Sequence, residues 1–378
     1  MMNILAIETS CDETALTILS VDETGPKPVF SVLSHMIMSQ IDIHAEYGGV
    51  FPNLAKREHA KNAVPILVEV LKKAGMYPPA PTSTLSDSFG ESTSSNVVDM
   101  DPPVKPEDVG YNYDEMKQLL EREPELFADL TSLLSSIEKP NIDYICVTNG
   151  PGLEPALWVG INFAKALAMA WDVPVVPVNH MEGHIVSVFA NGEEFAVEKP
   201  NFPALSLLIS GGHTELVLMN DWQQYEKIGQ TRDDAVGEAF DKVGRLLGLA
   251  YPGGPKISQL ARAVRDTGRK VEPELPRPML HSDDYDFSFS GLKTAVRREV
   301  EGRELSESEK EDIAYAFEEA VTEVLFAKTK RAIEQYGIKT LIIAGGVAAN
   351  KHIRETFTKL SNTSTLSDSF GESTSSNV

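Results

Sequence analysis

The sequence predicts an α/β fold in two domains, and three observations lead there. Four short apolar runs, at 3–10, 144–152, 205–214 and 340–350, each end in a glycine or small polar turn. Helical patterns fall between them, and strand followed by tight polar turn is how α/β folds bring backbone amides to a ligand. The chain of 378 residues also exceeds what one hydrophobic core usually fills.

The elements follow in order. NILAIETS passes through IETSCDET (Ile7 to Thr14) into a second apolar run, ALTILSV, so the two form a hairpin with hydroxyls and carboxylates at its bend. Such a bend can offer Thr9, Ser10 and backbone N–H groups to a phosphate, and Asp12 or Glu13 to a cation. HAKNAVPILVEVLKKAG at 59–75 has helical periodicity. A Pro/Ser/Thr/Asp-rich linker from Tyr77 to Gly110 and an acidic amphipathic helix from Asp114 to Ile137 precede the next strand, YICVTNGPG. LSLLISGGHT opens a second hairpin, whose paired glycines let a ligand approach the backbone. The segment 306–337 is a long helix with a polar start, and its stripe Ile313, Phe317, Val321, Leu325 belongs in the core. AGGVAAN (Ala344 to Asn350) opens a helix after a strand, so free N–H groups and the helix dipole face any anion there.

Composition excludes several classes. Apolar residues make up 42% of the chain, but no eighteen of them run together, and MMNILAIETS enters a strand at once rather than a signal-peptide pattern. The expectation is a cytoplasmic protein without membrane association. Cys11 and Cys146 are too few for a disulfide framework and read as structural thiols on or beside buried strands. With 34 basic against 56 acidic side chains the formal charge is −22, so a nucleic-acid partner needs a local basic patch or a second protein. Lys56, Arg57 and Lys61, then Lys293, Arg297 and Arg298, then Lys328, Lys330 and Arg331 are the candidate patches, each also readable as a solvated helix face.

TSTLSDSFGESTSSNV stands at Thr82 to Val97 and again, letter for letter, at Thr363 to Val378. Two contexts cannot both tailor one sequence into a core, and its few apolar side chains do not offset the entropy of ordering it. Both copies are expected to be disordered.

In VNHMEGHIVS (178–187), His180 and His184 share a helix face and can grip one ion, or cap and pack as ordinary histidines. In the zinc-protease pattern H-E-x-x-H the Glu follows the first His directly, whereas Glu182 lies two residues on, so a metalloprotease is disfavoured.

The three glycine or polar turns together resemble the phosphate and adenosine loops of the actin, sugar-kinase and Hsp70 class. More specifically, IETSCDET, HAEYGGVFPNLAKREH, GPGLEPALWVG, NHMEGH, LISGGHTEL, DDAVGEAFDKVGRLLGLAYPGGP, DFSFSGLKTAV and AGGVAAN stand in the same order as in the tRNA N6-adenosine threonylcarbamoyltransferases, once called glycoproteases, and resemble their bacterial or organellar branch. The resemblance implies two actin-like (ASKHA, ribonuclease-H-like) lobes with a ligand cleft, at 1–190 with an insertion near 77–139 and at 191–360, before the tail 361–378. It implies transfer of the threonylcarbamoyl group of threonylcarbamoyl-AMP to N6 of the adenosine next to the anticodon in tRNAs reading A-starting codons. Leu208, Ile209, Ser210, Gly211, Gly212 and Gly254 would contact the adenylate, Asp241 its ribose or amide, and Asn350 its adenosine end. His180 and His184 would ligate iron or zinc, and Asp12 or Glu13 would assist proton loss. A paralogous actin-like subunit and a small ATPase of the bacterial modification complex would be partners.

The sequence also departs from that family. Past Leu360 the tail stands where the family continues through a strand to an Asp-Asn loop, whose Asp is a third metal ligand. Ser258 occupies a position often carboxylate in relatives, and the 77–139 insertion is longer than usual. The second lobe is therefore expected to be incomplete, and a non-catalytic homologue that binds nucleotide or partner is the alternative reading.

Overall fold

The computed structural model describes residues 1–77, 112–190 and 192–361, and the backbone of 367–370. The chain divides into two units, one of 1–40 and 52–178, the other of 41–51 and 179–378. The first unit thus ends at Val178, and the short HAEYGG segment belongs with the second unit.

In the first unit, β1 (Met2–Glu8) pairs antiparallel with β2 (Glu13–Asp22), and β2 with β3 (Val29–Ser39). Alternating apolar residues such as Leu5, Ile7, Leu16 and Ile18 face a common core, the period-two signature of a strand with one buried face. β4 (Tyr144–Gly150) lies parallel to β1, and with β5 (Val175–Asn179) the strands run in the order β5-β4-β1-β2-β3. Helix α1 (Ile41–Ala45) belongs to the second unit. In the first, α2 (Pro52–Lys73) and α5 (Glu154–Trp171) contribute Leu67, Val70, Phe163 and Leu167 to the core. The expected single acidic helix is two, α3 (Tyr113–Leu119) and α4 (Pro124–Ser136), because Pro124 starts a new helix and cannot continue the old one.

The second unit begins with α6 (His180–Ser187) and the short β6 (Glu194–Phe195). β7 (Ala204–Ile209), β8 (Thr214–Asp221) and β9 (Gln224–Gln230) form an antiparallel meander. Helices α7 (Val236–Leu246), α8 (Gly253–Thr267), α9 (Ser290–Val300) and α10 (Glu307–Tyr336) follow. β10 (Thr340–Ala344) returns parallel to β7, a 3-10 turn occupies Gly346–Ala349, and α11 (Lys351–Ser361) begins only after it. The strand order is β11-β10-β7-β8-β9, the same permutation as in the first unit. Its last member, β11 (Ser367–Phe370), lies in the repeated tail and pairs parallel with β10. For those four residues the expectation of disorder is corrected, and the second sheet has a strand at the position counted as lost. The rest of the tail and the copy at 82–97 lie outside the described residues.

Candidate active site

In the first unit, the bend after β1 is pinned from several sides. Thr9 and Ser10 are buried, and Thr9 Oγ1 donates to the Ala156 carbonyl at the start of α5, 3.1 Å away. Glu8 accepts from the Ser10 amide at 2.5 Å and from the Thr148 hydroxyl. A Cβ on Gly160 would sit 2.3 Å from Thr9 Oγ1, and one on Gly152 2.7 Å from the Ser10 carbonyl, so GPG and α5 must be bare at these contacts. His59, fully buried on α2, closes the other side: its Nε2 lies 3.1 Å from the Cys11 carbonyl, while Nδ1 faces the Thr14 hydroxyl at 2.8 Å and the Gln40 amide at 3.3 Å. A carbonyl only accepts, so Nε2 carries the proton and Nδ1 receives. Cys11 is exposed at the bend rather than buried beside it, and Cys146 is half-buried on β4. Burial, with Asp12 and Glu8 nearby, raises the pKa of Glu13, which suits it to hold a proton.

In the second unit, three turns converge at the carboxyl ends of β7 and β10. The Ser210 amide donates to the His213 carbonyl at 2.9 Å, and the Gly237 amide of α7 to the Ser210 carbonyl at 3.2 Å. Gly211 and Gly212 are exposed, with open space where a Cβ would stand. Leu208 and Ile209 are buried in the sheet, so only their backbones are available to a ligand. Gly345, at φ +96°, places its Cα against β7 so closely that a Cβ would meet the Ile209 carbonyl at 2.4 Å. Asp241 Oδ1 accepts from the Gly253 amide at 2.8 Å, capping α8, while a Cβ on Gly254 would lie 3.9 Å from the Phe240 side chain, an ordinary contact.

Asn350 is more committed than its motif implies. Its Nδ2 donates to Ser258 Oγ and to Glu318 Oε1, both at 2.8 Å, and its Oδ1 accepts from the Ile353 amide at 3.0 Å. The side chain thus braces this turn from within the protein. Glu318, fully buried, also accepts from Ser258 Oγ at 2.6 Å and Arg265 at 2.9 Å. Sequence reasoning missed both Glu318 and His59, since each sits on a helical face that reads as core.

His180 and His184 lie on one face of α6, ring centroids 4.5 Å apart. Asn179 caps the helix through the Met181 and Glu182 amides, and Met181 and Ile185 anchor the opposite face in the β7–β10 core. Glu182 accepts from the Tyr225 hydroxyl at 2.9 Å, which occupies it as a hydrogen-bond partner and counts against the protease reading. Burial lowers the pKa of His213; Glu215 opposes that shift and nearby His180 adds to it. Two imidazoles so placed fit two positions of a metal's coordination sphere. No group of three or more His, Cys, Asp or Glu suited to a metal is found among the described residues.

A cavity of about 360 Å³ lies in the same unit, lined by Tyr47 and Gly48 together with Asp241, Arg245, Tyr251 and Gly253. Among the described residues no helix is long and apolar enough to cross a membrane.

Two units with one strand permutation, each opening on an antiparallel hairpin whose turn follows the first strand of its sheet, define a protein of the actin-like (ASKHA) class. The profile of the tRNA N6-adenosine threonylcarbamoyltransferase family matches residues 31–82 and 125–367. Among relatives of that name, the protein of Paraburkholderia xenovorans (strain LB400) is 40% identical over 94% of this chain and 82% of its own. That of Neisseria gonorrhoeae (strain ATCC 700825 / FA 1090) is 39% identical over 94% and 81%, and that of Persephonella marina (strain DSM 14350 / EX-H1) 40% over 94% and 80%. The chain belongs to the tRNA N6-adenosine threonylcarbamoyltransferase family.

Proposed function

We propose that this chain transfers the threonylcarbamoyl group of threonylcarbamoyl-AMP to N6 of the adenosine adjacent to the anticodon in tRNAs reading A-starting codons. The observation that carries the reading is the family match over nearly the whole chain, with its motifs at the turns described above. N6 attacks the carbamoyl carbonyl carbon, the bond from that carbon to the phosphate oxygen breaks, AMP leaves with the electron pair, and N6 loses one proton. Gly211 and Gly212 leave room for the adenylate against the backbone, with Gly254 as a further backbone contact, and Asp241, on the wall of the cavity, would hold its ribose or amide. Glu13, with its raised pKa, is the group suited to take up the proton, with Asp12 beside it.

His180 and His184 would hold one divalent ion, iron or zinc, which when bound supplies Lewis-acid polarisation and charge neutralisation. A paralogous actin-like subunit and a small ATPase are the proposed partners, and the cytoplasm, where tRNA is modified, the proposed location.

The test supplies synthetic threonylcarbamoyl-AMP, unmodified tRNA and the partner proteins, and follows the modified nucleoside by mass. Transfer is expected, with His184→Ala lowering both the metal content of the purified chain and the rate. A wild-type chain that binds the adenylate tightly yet transfers nothing would overturn the reading in favour of a binding role.

A further inference from the structure

The segment carrying Tyr47 and Phe51 has no part in the chemistry above, yet it is built rigidly. His44 is fully buried and anchors it: the Tyr47 and Gly49 amides donate to the His44 carbonyl at 3.0 and 3.3 Å, and the Phe51 amide to His44 Nδ1 at 3.3 Å. Gly48 at φ +67° makes the turn, and its carbonyl accepts from Arg245 on α7. The product is a pair of stacked rings, centroids 5.8 Å apart and 22° from parallel, that stay 59% and 51% exposed. Two large apolar rings held in register and left in solvent contribute little to folding.

We propose that Tyr47 and Phe51 form a stacking platform for an unstacked base of the tRNA anticodon loop, beside the cavity lined by Asp241 and Arg245. The inference rests on the functional reading above. An exocyclic amine within a stacked loop is out of reach of a transferase, so the loop must splay its bases, and splayed bases are held on aromatic faces. Tyr47 itself lines the cavity and Arg245 shares its rim, so a base on the rings lies next to the ligand space. The formal charge of −22 disfavours recognition through phosphates, whereas stacking is indifferent to it.

The experiment uses the full chain and unmodified tRNA with 2-aminopurine in the anticodon loop, reading affinity and fluorescence quenching. Tyr47→Ala and Phe51→Ala are each expected to weaken binding by roughly 5- to 150-fold, the range of single-base stacking. They should relieve the quenching and leave the salt slope unchanged, Phe51→Ala, which lies outside the cavity lining, should leave AMP affinity unchanged as well, and Tyr47→Phe and Phe51→Tyr should restore binding. Alanine variants that bind and quench like wild type would overturn the platform alone. An equal loss of AMP affinity in Phe51→Ala would reassign the rings to the nucleotide pocket, and a changed oligomeric state would reassign them to a protein contact. A wild-type chain that binds tRNA no better than a DNA hairpin would overturn the functional reading and the platform with it.

Discussion

Asp241 accepts from the Gly253 amide and lines the cavity, so substitution can separate its capping role from the proposed binding role. Asn keeps an acceptor for that amide but loses the charge; Ala loses both. Asp241→Asn should therefore fold with near wild-type stability while AMP affinity falls by roughly 10-fold, the scale of a charged hydrogen bond. Asp241→Ala should lose affinity similarly and about 0.5–2 kcal/mol of stability as well. Thermal melts and calorimetric titration with AMP check this, and equal affinity in wild type and the Asn variant would remove Asp241 from the site. At this scale the sequence revealed glycines and histidines far better than it revealed their supports. Gly211 and His180 stand out by type and spacing, whereas His59 and Glu318 look like interior helix positions until the fold brings Cys11 and Asn350 against them.

Helix α10 shows how an element can be legible while its attachments are not. Ser306 and Glu309 form a reciprocal capping box, and the stripe from Ile313 to Leu325 is buried, both as the spacing predicts. The partners of its polar face come from α8 and α11, far along the chain. Burial works against the charge of Glu319, but His352 Nε2 at 2.9 Å and Arg265 at 2.7 Å outweigh it and hold the carboxyl down at about 2. A depressed folded pKa contributes stability that is complete above the unfolded value of 4.5 and disappears as pH falls from there through about 2. Glu319→Gln is thus expected to lower urea stability at about pH 6 and to flatten the loss between about pH 4.5 and pH 2. Parallel pH profiles for variant and wild type would show that these contacts contribute nothing. The break between α3 and α4 was readable, because Pro124 stands there in the sequence. β11 was not: nothing in SDSF distinguishes an edge strand from a polar tail until β10 lies open beside it.

For the whole molecule, the balance of charge constrains how an RNA is held, and the fold narrows it further than composition does. Several cations that seemed available are engaged internally. Lys56 pairs with Glu123, Lys293 with Asp234 and Lys330 with Glu334, while Lys328 is buried against Ser282 and Asp284. Arg331 donates to the carbonyls of Ser282 and Asp284. Among the candidate patches, Arg57, Lys61, Arg297, Arg298 and Lys330 are exposed, Lys61 and Lys330 beside Glu58 and Glu334, and Arg297 and Arg298 lie together at the end of α9. With few phosphate contacts against a −22 background, the chain alone should bind unmodified tRNA weakly, with a shallow salt dependence, and gain affinity when a second protein supplies basic surface. Neutralising Arg297 and Arg298 together should weaken that binding further and reduce the log–log salt slope by about 2, one for each lost contact, without altering AMP affinity. Filter binding across a salt series measures both quantities. Tight, steeply salt-dependent binding that survives the double substitution would place the RNA on another face of the molecule.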